Sequence, residues 1–467
     1  MNAKRAIIKY FTLPDEMRRR EKLDWFAAQR FQDIAFETIT PDEKGNWLNL
    51  TDNDFDTLLP LANKATKAAK SPAQEQAVFK LFASSIKTNR DEWVYDFNQD
   101  DLSKKISFFC DIYTNSIADA SYENKSAIAW DRELENYRRR HIEKSLETVK
   151  IRKSMFRPFV SKYHYFDRHF NGMFYQWGNL TNFNNDNIFI SVNKENNTKG
   201  LFCLATNRII DLHATGDSQC LPMYHFNEKG ERIINITDWG LTQFRERYEG
   251  VENMEFSDER ERVDFYSKTN GFKIKKEDIF HYTYAVLHNP AYRKKYELNL
   301  KREFPRLPFY EDFHKWAARG KALMDLHINY ETVEPYNLIE HQYEVKAEAK
   351  RQKEIFTKVE EPEAMYARVP KVKVKLKADK AAGVIDIDEL TFLTGVPAEA
   401  WEYKLGNRSA LEWVLDQYKE KKPTDPTIAE KFNTYRFADY KGHVIDLLKR
   451  VCRVSVETVK IVNEMKD

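Results

Sequence analysis

Between Asn187 and Phe226 the hydrophobic pattern of this chain changes period. IFISV, GLFCLAT, RIIDLHA and QCLPMYHF are short β-branched and aromatic runs with Asn, Gly and Asp turns between them. Runs bounded by turn formers in this way read as strands, so the window predicts a β-rich core of about four strands. Upstream and downstream the period is helical. Pro14 opens PDEMRRREKLDWFAAQRF, with acids in the first turn and Met17, Leu23, Trp25 and Phe26 forming one buried stripe. Leu102–Ile117 and Asp131–Ile151 predict two more helices, the second long, highly charged and suited to bridging two domains. Ile236–Tyr248 predicts a helix capped by Thr237 or Asp238.

The stretch from Ile279 to Tyr336 is the densest mixture of aromatic and basic residues. Between Lys268 and Lys321 thirteen Lys/Arg stand against six Asp/Glu, although the net charge of the whole chain is only +2. AVLHNPAYRKKYELNLKREF predicts a helix around Pro290, and Tyr310–Met324 a second one. Beyond them Ala347–Glu363 reads as a charged connector. VPKVKVKLK, ending at Lys377, reads as an amphipathic strand whose Lys face guards a sheet edge. Ser409–Tyr418 reads as a helix capped by Ser409, and the chain closes in one more helix and a β-branched run, VSVETVKIV. The expected fold class is therefore α+β, with a helical N-terminal part, a central β-rich core with packed helices and a mixed C-terminal part. A chain of 467 residues exceeds one ordinary core. The expected division is 1–130, 131–345 and 346–467.

Composition removes several function classes. Only 14 glycines occur, which argues against Gly-rich nucleotide loops, and no G-x-x-x-x-G-K-[ST] is present for an autonomous ATPase. Four scattered cysteines with no C-x-x-C pair fit a reducing compartment and no thiolate zinc site. There is no signal-peptide pattern and no run of about 18 apolar residues, so the expectation is a cytoplasmic protein with no membrane partner. Charge lies in blocks. Asp131–Arg168 holds eleven Lys/Arg and six Asp/Glu, and Glu246–Asp264 holds eight acids and three Arg. A polyanion would use the basic blocks.

Three constellations resemble catalytic sites. Asn289-Pro290-Ala291-Tyr292 imitates the Asn/Asp-Pro-Pro-aromatic loop of amino-methyltransferases, but its third residue is Ala and no cofactor-cradling loop precedes it. Glu402-Tyr403-Lys404 with Asp386 or Asp388 upstream follows the metal-nuclease pattern, in which carboxylates hold a divalent ion and a lysine steadies water. His164 and His169, or His281 and His288, lack an i,i+4 partner with a flanking carboxylate. Better contact candidates are basic residues set among aromatics. These are Lys87, Asn89 and Arg90 beside Trp93 and Tyr95, and Arg157, Lys162 and Arg168 among Phe159, Tyr163, Tyr165 and Phe170. Arg293, Lys294 and Lys295, and Asn407 with Arg408, complete the set.

KTNRDEWVYDF, FRPFVSKYHYFDR, DIFHYTYAVLHNPAYRKKYELNLKREFPRLPF, DLHINYETVEPY and WEYKLGNRSALEWVLDQY together resemble the C-terminal specificity region of Type ISP restriction–modification enzymes, large single-chain bacterial anti-phage proteins. The resemblance runs from about residue 15 to the end. It implies a target recognition domain that reads double-stranded DNA and directs the N6-adenine methyltransferase and restriction activities of such a system. The nuclease, helicase-like ATPase and methyltransferase motifs are absent from this chain. S-adenosylmethionine, ATP and Mg would therefore belong to catalytic portions that are fused to it or docked on it, and this chain would have no catalytic centre or cofactor of its own. Two readings of other classes stand beside this one: a metal-dependent nuclease on Asp386/Asp388, Glu402 and Lys404, and a protein-docking scaffold.

Overall fold

The computed structural model describes the chain apart from residues 1–5, 15–16, 42–46, 48–50, 52, 120, 175–176, 182–186, 194–199, 228, 250–272, 344–371 and 467. The Ala347–Glu363 connector and most of the Glu246–Asp264 acidic block lie outside the described residues. Helices and several small sheets make an α+β fold, as the hydrophobic periods require. The chain divides into two compact units that do not follow chain order. One comprises Met1–Ser85, Tyr175–Ile328 and Val462–Asp467, the other Ile86–Phe174 and Asn329–Ile461.

The first unit is centred on the strand-rich window. Ala83–Ser84, Gln219–Pro222, Phe189–Val192 and Cys203–Thr206 pair antiparallel in that spatial order. All residues of Phe189–Val192 and Cys203–Thr206 are buried, so these strands read as near-continuous apolar runs, interrupted by Ser191 and Thr206. The helices Lys276–His288 and Phe313–Ile328 supply most of the remaining core, and the backbone N–H of Ala205 donates to the Tyr284 hydroxyl at 2.8 Å. The two helices pack so closely that a Cβ on Gly320 would lie 1.8 Å from the His281 carbonyl oxygen. Thr237 is the cap of Asp238–Glu249, its hydroxyl accepting from Gly240 N at 2.9 Å.

In the second unit the strands Tyr95–Asp96, Val160–Tyr165 and Ile151–Arg157 are antiparallel neighbours in that order. The helix Gln99–Ala118 packs on them through Leu102, Ile106, Phe109 and Tyr113. A second sheet places Ile339–Gln342, Thr391–Thr394, Val384–Asp388 and Val374–Asp379 in that order, with the lysine-faced strand at an edge as its alternation predicts. The helix Ala410–Gln417 opens on a capping box of Ser409 and Glu412.

Three expected elements differ. The first helix begins at Arg19 and buries nothing: Leu23 is 57% and Phe26 54% exposed. Its neighbour is a two-stranded ribbon, Ile8–Tyr10 with Glu37–Ile39, and the contact made is Trp25 stacked on Phe11 at 5.1 Å. The long charged helix ends at Arg139, and His141 takes φ +55. The helix Gln99–Ala118 intercepts the chain there: Tyr113 Oη donates to the Ile142 carbonyl and Thr114 Oγ1 to that of Lys144. The closing β-branched run is helical, inside Phe437–Asn463. Val451, Val454, Ser455 and Thr458 are buried at a spacing of three and four, and this one-sided burial outweighs local β propensity.

Candidate nucleic-acid interface

The second unit contains a cleft of about 380 Å³. One wall is the strand pair: Lys162 on Val160–Tyr165, with Phe156 and Arg157 from the neighbouring strand and Phe97 just past Tyr95–Asp96. The Lys162 ammonium sits 4.1 Å from the centre of the Phe156 ring and 4.5 Å from that of Phe97. It makes no hydrogen bond or ion pair among the described residues. Burial, and next the charge of Lys105, push it down to about 8. The Arg157 guanidinium lies 4.1 Å over Phe156.

The other wall is the chain leaving Ala410–Gln417, carrying Lys419, Lys421 and Lys422. Carboxylates hold it in place. Glu92 accepts from Thr424 N and Thr424 Oγ1 at 2.9 Å and from Asp425 N at 2.8 Å. Asp425 accepts from Trp93 Nε1 at 2.8 Å and caps the helix Pro426–Lys431. Asp96, the other acid on the cleft, is taken by Lys105 Nζ at 2.9 Å. The site is therefore lined by cations whose nearby carboxylates are already engaged.

The remaining candidates divide by what their side chains hold. Lys87, Asn89, Arg168, Lys294 and Asn407 are exposed. Asn89 sits at φ +61 and Asn407 follows Gly406 at the tip of a two-residue hairpin. Arg90 is buried, its side chain 1% exposed and its guanidinium 2.5 Å from Asp131. Arg293 donates to the Leu287 carbonyl at 2.6 Å, Lys295 pairs with Asp54 at 2.8 Å, and Arg408 with Asp416 at 3.0 Å. Arg157 and Lys162 share the cleft, whereas Arg293, Lys294 and Lys295 belong to the first unit. Sequence reasoning missed Lys419, Lys421 and Lys422. The signal was the run KEKKP, which on its own looks like any solvated charge run.

The catalytic look-alikes have structural duties. Asn289 is buried and caps the helix Pro290–Lys295, accepting from Ala291 N at 2.8 Å, while Tyr292 donates from its buried ring to the Arg306 carbonyl. Asp386 accepts from the Tyr343 hydroxyl, and Asp388 pairs with Lys441 at 2.7 Å. Among the described residues no group of three or more His, Cys, Asp or Glu side chains is placed to hold a metal. All four cysteines are buried and free.

Residues 77–447 match the Type ISP C-terminal specificity domain. The chain belongs to that family. It is similar to the cryoEM structure of a DrdV–DNA complex, at 41% identity over 98% of this chain and 43% of that one, with a TM-score of 0.79. It shares its fold with a nuclease-deletion mutant of the Type ISP restriction-modification enzyme LlaGI in complex with a DNA substrate mimic. There the identity is 23% over 100% of this chain and 40% of that one, with a TM-score of 0.71. It shares it too with the ATP-dependent Type ISP restriction-modification enzyme LlaBIII bound to DNA, at 24% identity over 92% and 25% of the chains, with a TM-score of 0.66. The chain spans less than half the length of each of these proteins. No curated protein matches it. The cleft, from Glu92 to Tyr435, lies inside the family match.

Proposed function

We propose that this chain is a sequence-specific double-stranded DNA recognition module that directs the methyltransferase and restriction activities of a Type ISP system. The observation that carries the reading is the specificity-domain match over 77–447, joined to 41% identity with a protein solved on DNA. The chemistry of the second unit agrees with it. Cations bind phosphate and set register, and a few exposed polar side chains read base edges. Lys87, Asn89, Arg157, Lys162, Arg168, Lys294 and Asn407 are the proposed contacts. Arg90, Arg293, Lys295 and Arg408 already hold carboxylates or carbonyls within the fold, so their contribution runs through the elements they brace; Arg157 also donates to a carbonyl, that of Phe156, and is proposed as a contact for its place in the cleft. Methyl donor, ATP and Mg are assigned to the catalytic portions, the partners of this chain beside DNA, and the working compartment is the cytoplasm. No helix among the described residues is long and apolar enough to cross a membrane.

The test is binding to labelled duplexes at two salt concentrations, together with methylome sequencing of cells carrying the catalytic portions with and without this chain. Recognition predicts affinity that falls steeply with salt and a methylation site that disappears when the chain is removed. A protein-docking scaffold predicts neither, and an unchanged methylome with salt-insensitive binding would reject the recognition role.

A further inference from the structure

We propose that the cleft of the second unit is a phosphate-binding site, with Lys162 as its floor, that seats one backbone phosphate of bound DNA. The inference rests on the DNA reading above and adds to it where, and by which side chains, the backbone is held. Six cationic side chains line the cleft against two carboxylates, Glu92 and Asp96; Glu92 is engaged by backbone N–H groups, Lys105 is spent on Asp96 and Lys421 reaches Asp416 at 3.6 Å, so the cationic excess is carried by Arg157, Lys162, Lys419 and Lys422. Lys162 is half-buried and, among the described residues, makes no hydrogen bond or ion pair, whereas a charge taken out of water is normally paired. Its neighbours are two aromatic rings, whose cation–π attraction steadies the ammonium but leaves its donors without an anion. Arg157 stands beside it on the same ring, and Lys419, Lys421 and Lys422 rise on the opposite wall. A phosphate oxygen supplies what Lys162 lacks. A cleft of about 380 Å³ admits a phosphate group and not a double helix, so the site contributes register rather than base readout.

A bound phosphate favours the charged lysine, so binding takes up a proton wherever free Lys162 is partly neutral. Lys105, Asp96, Arg157 and Asp91 act on its charge, and Glu92, Lys419, Lys421, Lys422 and Tyr435 also line the cleft. Substitution separates its contribution from theirs.

The experiment measures duplex affinity of the full chain against salt and pH for wild type, Lys162→Met, Lys162→Arg and a Lys419→Ala/Lys422→Ala double variant on the exposed rim. Lys162→Met keeps the apolar stem between the rings. The expected result is severalfold weaker binding to every duplex for Lys162→Met and for the rim variant. For Lys162→Met the salt slope drops by about 1. Wild-type affinity declines from pH 7 to pH 9, and Lys162→Arg, which stays charged throughout, removes most of that decline. Wild-type affinity with unchanged slopes in both neutral variants overturns the cleft and leaves the recognition role standing. A pH decline that persists in Lys162→Arg also overturns it. A wild type that binds no duplex at low salt overturns the recognition role and the cleft with it. If inorganic phosphate or a mononucleotide raises the melting temperature of wild type but not of Lys162→Met, while duplex affinity is unaffected by the substitution, the site serves a free anion and the DNA assignment falls.

Discussion

At the scale of single residues, Lys162 and Arg90 show two opposite uses of a basic side chain in one unit. Lys162 is held down to about 8 by burial, against an ordinary value of 10.5. Its charged form therefore costs the fold stability in full below about pH 8, and the cost fades as pH rises toward 10.5, where the unfolded chain also loses its proton. Lys162→Met is expected to stabilise the protein at pH 7 by on the order of 1–3 kcal/mol, allowing for partial exposure. Urea denaturation at pH 7 and pH 10 checks this, with the gain shrinking at the higher pH. Arg90 is the reverse case. Its buried guanidinium neutralises Asp131, the residue that caps Arg132–Arg139, and lies 5.8 Å from the centre of the Phe109 ring. Arg90→Ala strands that carboxylate and is expected to destabilise by about 3–5 kcal/mol. The same denaturation series reads it, and a variant as stable as wild type would contradict the assignment. Nothing in KTNRDEW marks Arg90 as internal, because the carboxylate that pairs with it, Asp131, lies some forty positions away.

At the scale of elements, capping chemistry and period were legible, while length and burial were not. Thr237, Ser409 and Asn289 sit where their side chains predict helix starts, since a cap is a local bond between a side chain and a backbone N–H two or three residues on. The stripe Leu23, Trp25, Phe26 and the run VSVETVKIV misled for one reason: whether an apolar face is covered depends on what packs against it. The helix pair Lys276–His288 and Phe313–Ile328 is in close backbone contact at Gly320. Because a Cβ at position 320 meets backbone rather than a movable side chain, Gly320→Ala is expected to cost at least about 1–3 kcal/mol. Circular dichroism melts of the variant should show a matching drop in midpoint.

At the scale of the whole molecule, each unit is assembled from separated stretches of chain. The sheet of the first unit takes Ala83–Ser84 from far upstream of its other strands. In the second unit the helix Gln99–Ala118 lies more than thirty residues before two of the three strands it covers, Ile151–Arg157 and Val160–Tyr165. A fragment of residues 131–345 would lose both and expose Tyr165 and Phe170, which pack with Phe109 and its neighbours in the full chain. It is expected to aggregate or to give no cooperative unfolding transition, which size-exclusion chromatography and thermal melts would show. By itself the sequence determined the α+β class, the strand-rich window, the caps and the family. All of these follow from side-chain period, local bonding or contiguous words. Only the tertiary structure decided that KEKKP faces Lys162 across a cleft, that Arg90 is internal and that two units interleave. Those outcomes depend on long-range pairing, which no local pattern encodes.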